Sequence, residues 1–503
     1  MAMMKLIALT ARTAAFAVVP DGAKFTLAQP REWSLSNASG ESLRSGTTHT
    51  VPLFIEGLQP DQSYVLACGG ERFAFRTKLC AGLVHAETHG VRPESSDNTE
   101  AFGRALAAVP ENGTLLVPPG RHLTRPLFLK PNMTLLIPEG AEIVALADRA
   151  GWPILPARDK TSRVIGTWEG LPEASFASVL TGIDCDGLVI TGRGVIDGGG
   201  AQGDWWQWPK ETRDGARRPR TVFIAHSDDV ILSGVTVRNS PSWTVHPYRC
   251  QHLTAAALNI ENPPDSPNTD GFNPESCEDV QMIGLNFSVG DDCIAIKSGK
   301  RSPDVSDHIA PTRRVRISHC RMARGHGAVV IGSEMSGDVT DVDVSNCEFV
   351  GTDRGLRLKT RRGRGGLMAS IHMRNVSMER VLTPLAINAF YFCDPDGKSD
   401  AVQSRIPAPV DDTTPRVKDI TMSDVTATGV TLAAAAILGL PEAPIQNVRL
   451  HNYAVSYDPA AKPDVALMAL GVAPVRHASV VSEFAEVHAD IKQIEHQEDH
   501  EPC

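Results

Sequence analysis

Three aspartates stand in short polar motifs whose residue types suit proton-transfer chemistry: Asp270 in Asn268-Thr269-Asp270-Gly271, and Asp291 with Asp292 in Gly290-Asp291-Asp292. Carboxylates gathered in one place repel one another, so at least one has its pKa raised and stays protonated at working pH. An acid beside a carboxylate is what the splitting of a glycosidic bond requires. One group protonates the leaving oxygen, and the other activates a water or attacks directly. Taken singly, Gly-Asp-Asp reads as a solvated acidic turn and Gly325-His326-Gly327 as a turn with an exposed histidine. In Gly355-Leu356-Arg357-Leu358-Lys359 the leucines alternate with the cations, so on a strand Leu356 and Leu358 face inward while Arg357 and Lys359 share the outer face. Two cations on one face fit a carboxylate ligand.

The elements that must bring these motifs together are legible as a degenerate repeat. An alternating apolar run recurs at Val230, Leu253, Val280, Val315, Val342, Ile371, Ile420 and Val448, at intervals of 23, 27, 35, 27, 29, 49 and 28 residues. Strand-like runs at solenoid spacing, with Asn, Gly, Ser and Asp between them, indicate a parallel β-helix. On such a coil, residues at matching offsets stack about 4.8 Å apart, so a site shows as polar motifs recurring after each run. Asp291 and His326 both lie eleven residues past their coil's start and are expected to be neighbours. Asp291 and Asp292 can share a cleft only if the backbone bends, so an irregular strand entry is expected at Gly290. VRISHCRM at Val315 is echoed by VDVSNCEF at Val342, aligning Cys320 with Cys347. Lys297, at the end of Cys293-Ile294-Ala295-Ile296, alternates outward on the acids' coil and is a further candidate carboxylate ligand. His246 and Trp243, one coil earlier, line the cleft floor or pack beneath it.

Around this solenoid the reading is coarser. Residues 1–80 look like a small β-sandwich of fibronectin type III character, from strands near Ala14–Val19 and Arg72–Arg76 and a Leu-x-Pro-x-x-x-Tyr segment ending at Tyr64. A secretory signal is the lesser reading of the N-terminus, because Arg12 cuts the apolar stretch. A capped amphipathic helix after Asp97-Asn98 closes the solenoid's end. The β-helix is expected over 81–485, with the insert from Cys393 to Arg416 as a loop walling the cleft. Residues 486–503 read as a mobile polar tail.

The formal charge of −10 argues against a nucleic-acid or membrane-surface role, although Pro311–Gly365 holds eleven Lys and Arg against six Asp and Glu. No run of about 20 apolar residues is present to span a bilayer. The ten cysteines show no metal-binding spacing, and packing as free thiols is expected, with Cys503 exposed, in a reducing, cytoplasmic compartment. No metal or cofactor is expected, and oligomeric state is not encoded in any recognisable motif.

Taken in order, NTDG, GDD, GHG and RLK resemble glycoside hydrolase family 28, the polygalacturonases, across roughly Gly82 to Leu470. Gly194-Val195-Ile196-Asp197-Gly198, Trp205-Trp206 and Asn239–Pro247 support the match. The resemblance implies an all-β, right-handed parallel β-helix of pectin-lyase type and inverting hydrolysis of α-1,4-galacturonide bonds in a pectic polysaccharide or oligogalacturonide. It implies Asp291 as general acid, Asp270 and Asp292 holding the attacking water, and His326 supporting the acid. Asn268, Arg357, Lys359, Tyr391, Lys297 and His246 are then the candidate sugar-binding residues. Leu358 replaces the family's usual Ile, an inward change. The stretch Ile331–Gly337 and the N-terminal sandwich resemble bacterial exo-acting enzymes. The alternatives are a β-eliminating lyase of the same fold, a hydrolase of decorated pectin such as rhamnogalacturonan, and a non-enzymatic carbohydrate-binding solenoid.

Overall fold

The computed structural model describes residues 4–19 and 22–495. The eight repeat starts stack in one register. Leu253 pairs with Val280, Val280 with Val315, Val315 with Val342, Val342 with Ile371, Ile371 with Ile420 and Ile420 with Val448, all in parallel. Val230 joins below, its carbonyl accepting from Thr254 N at 2.9 Å. All eight side chains are buried in the continuous core of a right-handed parallel β-helix. The residue just before each of them lies in the left-handed region: Asp229, His252, Asp279, Arg314, Asp341, Ser370, Asp419 and Asn447, with φ between 48° and 58°. One kink repeated on every coil turns the chain at the same place, and Asp and Asn, which tolerate that conformation, fill five of the eight positions.

A second parallel face carries the chemistry. It runs through Leu180–Ile183, Val222–Ala225, Val245–Tyr248, Asp292–Ile296, Gly327–Ile331, Arg354–Lys359, Thr383–Asn388 and Ala433–Leu438. Between Val245–Tyr248 and Asp292–Ile296 the coil of Phe272 pairs only through isolated bridges. The helix Thr99–Ala108 covers the N-terminal end with Ala101, Phe102, Ala105 and Leu106. Its first turn is held by Asp97, whose Oδ1 accepts from Thr99 N at 2.9 Å, rather than by a side-chain cap from Asn98.

The N-terminal strands form two antiparallel sheets, Met4–Leu9, Ala14–Val18 and Pro52–Ile55 in one, Ser42–Thr50, Thr26–Asn37, Ser63–Cys68 and Glu71–Arg76 in the other. The Tyr64 hydroxyl accepts from Gln59 N at 2.9 Å and fixes the corner that the sequence marks. This unit is riveted to the solenoid's flank by the Glu348 carboxylate, which accepts from the Phe25 and Thr26 amides, and by Phe54, which packs where Gly234 leaves room.

Two expectations need correction. Much of the polar tail is structured: Ala485–Gln493 forms a strand parallel to Ile445–Tyr457, because the last apolar coil still offers an unpaired edge; residues 496–503 lie outside the described part. The described cysteines are all free, and Cys320 stacks with Cys347 in the core, but Cys393 is exposed on the insert rather than packed. Cys503 falls among the residues not described. No helix of the described residues is long and apolar enough to cross a membrane.

Candidate active site

The expected irregularity is present. Gly290 and Asp291 form a bend and the strand begins only at Asp292, whose amide donates to Asp291 Oδ1 at 2.9 Å. A side chain at position 290 would meet the Ser266 and Pro263 carbonyls at 2.5 and 2.6 Å, so glycine is required there. Asp270 sits one coil below: Gly271 N donates to Asp292 O at 2.9 Å, and Asp270 O accepts from Thr244 N at 2.8 Å. His326 sits one coil above, its amide donating to Asp291 O at 2.9 Å and its Nδ1 lying 3.3 Å from Asp291 Oδ1. Coil stacking thus places the three acids and the histidine together.

Each acid has a different partner. Asp292 is buried, with Oδ2 2.7 Å from Lys359 Nζ and Oδ1 3.3 Å from Arg357 Nη1, two coils up. Gly327 occupies the coil between, and a Cβ there would stand 3.1 Å from Asp292 Oδ1; the second glycine of Gly-His-Gly leaves the space through which the carboxylate meets both cations. Among the described residues the Asp270 carboxylate has one side-chain hydrogen-bond partner, the Asn273 amide, whose Nδ2 donates to Oδ2 at 2.8 Å. Burial, then the charge of Asp291, raises the Asp270 pKa well above the usual carboxylate range. Burial pushes Asp291 up too, but the His326 hydrogen bond and charge, with Lys359 and Arg357 behind, overcome it and hold Asp291 at about 2. His326 is correspondingly raised to about 9, chiefly by its hydrogen bond to Asp291. Of these two acids it is therefore Asp270, not Asp291, whose pKa the surroundings raise, because His326 stands against Asp291 while no Lys, Arg or His among the described residues bonds to Asp270.

Leu356 and Leu358 are buried inward, and Arg357 and Lys359 emerge together on the outer face, as their alternation requires. The Tyr391 ring lies against both, its centroid 5.6 Å from the Arg357 guanidinium and 5.3 Å from Lys359 Nζ.

The sequence pattern of Glycosyl hydrolases family 28 matches residues 158–467, a stretch holding every group just described. The chain belongs to this family. A probable polygalacturonase of Vitis vinifera is 30% identical over 380 residues, 74% of each chain. An exopolygalacturonase of Zea mays is 28% identical over 64% of this chain and 75% of its own. The solved family 28 exopolygalacturonase of Yersinia enterocolitica superimposes with a TM-score of 0.67 at 17% identity, covering 98% of both chains, and so shares the fold.

In this family 28 glycoside hydrolase, two candidate ligands are not free in the cleft. Lys297 is buried, its Nζ 2.6 Å from Glu334 Oε2 and 4.9 Å from the centroid of Trp243. His246 has no exposed surface; its Nε2 bonds Glu275 at 2.9 Å, and the Phe223 and Trp243 rings close over it. His246 is therefore corrected from a sugar ligand to a packed residue, because its column on the sheet is roofed by the hairpin around Thr167–Trp168, whose Thr167 Oγ1 donates to Glu275. The basic window also divides: Arg313 and Arg314 pair with Glu278 and Asp279 on the flank, and only Arg357 and Lys359 reach the acids.

Sequence reasoning passes over three groups near the acids. Glu334 lies past the strand Gly327–Ile331, two residues beyond Gly332, the position that the register aligns with Lys297, so the repeat gives no signal of the pair. Met468 gives none either: its Sδ accepts from Arg357 Nη2 at 3.3 Å, on a segment tied down by Asn388 Nδ2 to Met468 O, Arg354 Nε to Ala466 O and Leu470 N to Gln403 Oε1. Arg218, fully buried, accounts for the position of Asn268, whose Oδ1 accepts from Arg218 Nη2 at 2.7 Å.

Proposed function

We propose that this enzyme hydrolyses α-1,4-galacturonide bonds in polygalacturonate or oligogalacturonides, with inversion and from a chain end. The observation that carries the reading is the pair of cations on one carboxylate. Arg357 and Lys359 share Asp292, so together they have positive charge to spare for a sugar carboxylate held beside the acids. A neutral sugar would have no use for it.

Asp291 acts as the general acid, and Asp270 with Asp292 holds the water. Asp270 has the raised pKa and Asp291 the lowered one, so a proton shared by these two rests on Asp270 before substrate binds. A galacturonate carboxylate seated on Arg357 and Lys359 draws on the field that these cations give Asp291 and adds a negative charge nearby. Both effects raise Asp291 and pull the proton to it. Asp291 then gives that proton to the leaving oxygen as the glycosidic bond breaks. A water on the other face of the ring, held by Asp270 and Asp292, bonds to the anomeric carbon and gives its proton to Asp270, restoring there the proton that had moved to Asp291. Asn268 and Tyr391 contact the same sugar, and Lys297 acts through Glu334 on the charge of the floor.

Action from a chain end is supported by a wall on the Lys297 side. The hairpin Thr167–Pro172 and the insert beginning at Cys393 meet at Lys300, whose amide donates to Gly170 O at 2.9 Å and whose Nζ lies 2.7 Å from Asp394. Asp394 is fixed in turn by Arg361 and Arg364. The free thiols of the described cysteines support a reducing compartment, in keeping with short imported oligomers as substrate. Digestion of hexagalacturonate, followed by chromatography and by NMR of the newly formed anomer, tests the reading. Monogalacturonate or digalacturonate released from the start with inverted configuration is expected. A ladder of mid-sized products refutes end action, retention refutes the water-holding pair, and an unsaturated product absorbing in the ultraviolet replaces hydrolysis by elimination.

A further inference from the structure

Arg218 is a cation with no exposed surface and, among the described residues, no carboxylate within ion-pair distance. Its acceptors are neutral. Nη1 donates to the carbonyls of Pro241 at 2.6 Å and Pro267 at 3.0 Å, and Nη2 to the carbonyl of Pro209 at 3.0 Å and to Asn268 Oδ1 at 2.7 Å. The Trp168 ring centroid lies 5.6 Å from its guanidinium carbon. Burial lowers its pKa to about 10, which leaves it charged at neutral pH. A buried charge without a counter-ion costs several kcal/mol, so a side chain held this way is expected to do something that a neutral one cannot.

What it does is set by its four contacts. They come from three separate loops, around Pro209, Pro241 and Pro267-Asn268, and the third of these leads directly into Asp270. Proline carbonyls in loops have no strand partner, and one planar fork with five donors satisfies three of them at once. Its fourth contact is the informative one. An amide has an oxygen end that only accepts and a nitrogen end that only donates. Because Arg218 offers only donors, it captures Asn268 Oδ1 and turns Nδ2 the other way. Nδ2 has no partner among the described contacts, and Asn268, with φ 55°, is half-buried at the rim of the acid cluster.

We infer that Arg218 is a positioning residue: it orients the Asn268 carboxamide so that its N–H bonds face the cleft, where they bind an acceptor oxygen, hydroxyl or carboxylate, of the sugar next to Asp270. This inference rests on the galacturonide reading above and adds the polarity of that contact. Turnover of trigalacturonate by the parent chain, measured first, tests the galacturonide reading by itself; the variants then test Arg218 alone. Arg218→Lys keeps the charge but cannot reach all four acceptors, and it raises KM about tenfold. Asn268→Ala does the same, and the double variant is no worse than either single, because both remove one contact. Asn268→Asp keeps the bond to Arg218 as an ion pair, so Tm holds or rises, yet it presents an acceptor to the sugar and raises KM at least as far as Asn268→Ala. Losses that multiply in the double variant, or an Asn268→Asp enzyme with the parent's KM, overturn the assignment. Arg218→Lys lowers Tm on either reading, since buried hydrogen bonds are lost; a merely structural role would leave its KM, and that of Asn268→Asp, unchanged.

Discussion

Replacing His326 with glutamine keeps a polar side chain of similar size and removes the cation that faces Asp291. The contact is worth something that can be worked out. His326 rises from 6.5 to about 9, which at about 1.4 kcal/mol for each tenfold change is about 3 kcal/mol of preference for the charged ring beside Asp291. About half of the side chain (54%) is in solvent, so screening reduces that to about 1–2 kcal/mol. The folded value lies above the unfolded one, so this stability is fully present below pH 6.5 and is lost as pH rises through about 9. Thermal unfolding from pH 5 to 10 therefore separates the two proteins: His326→Gln melts a few degrees below the parent at pH 6 and level with it at pH 10. If the same energy holds Asp291 toward the leaving oxygen, kcat/KM at pH 6 falls about 5- to 30-fold, the factor that 1–2 kcal/mol corresponds to. The parent's alkaline limb near pH 9 is also absent from the variant. A Tm difference that is equal at pH 6 and pH 10 would refute the ion pair.

Other substitutions probe the remaining partners. Asp292→Asn leaves Arg357 and Lys359 without their buried counter-charge; stability is expected to drop by about 3–5 kcal/mol in urea melts, and activity on oligogalacturonate by about 100- to 10,000-fold. Added galacturonate should restore part of that stability, and its failure to do so would remove the cations from the binding site. Lys359→Met deletes one charge-assisted contact of about 1.5–3 kcal/mol, so initial-rate kinetics should show KM raised about 10- to 100-fold. Met468→Ala frees Arg357 Nη2 while the main-chain ties of its segment remain, and is expected to raise KM about three- to tenfold with Tm unchanged within about 1 °C; no change in KM would place Met468 outside the cleft.

What lies one coil apart is encoded in the period of the chain. The eight apolar repeat starts pair in the order their spacing dictates, and Asp291, His326 and the bend at Gly290 follow from the same offsets. Arg357 and Lys359 point outward for a reason equally local, the alternation of a strand, and the nature of the acids is visible in the motifs themselves. The tertiary structure decided the rest, because those contacts join loops that leave the coil and return by paths that no period records. It raised the pKa of Asp270 and lowered that of Asp291, which could be known only once His326 was seen to stand against Asp291. It paired Lys297 with Glu334 and roofed His246 with a hairpin that precedes the strand two coils below it. It brought Met468 onto Arg357 and Arg218 onto Asn268, where the partners are a thioether, proline carbonyls and one amide oxygen, groups whose types in a sequence announce nothing.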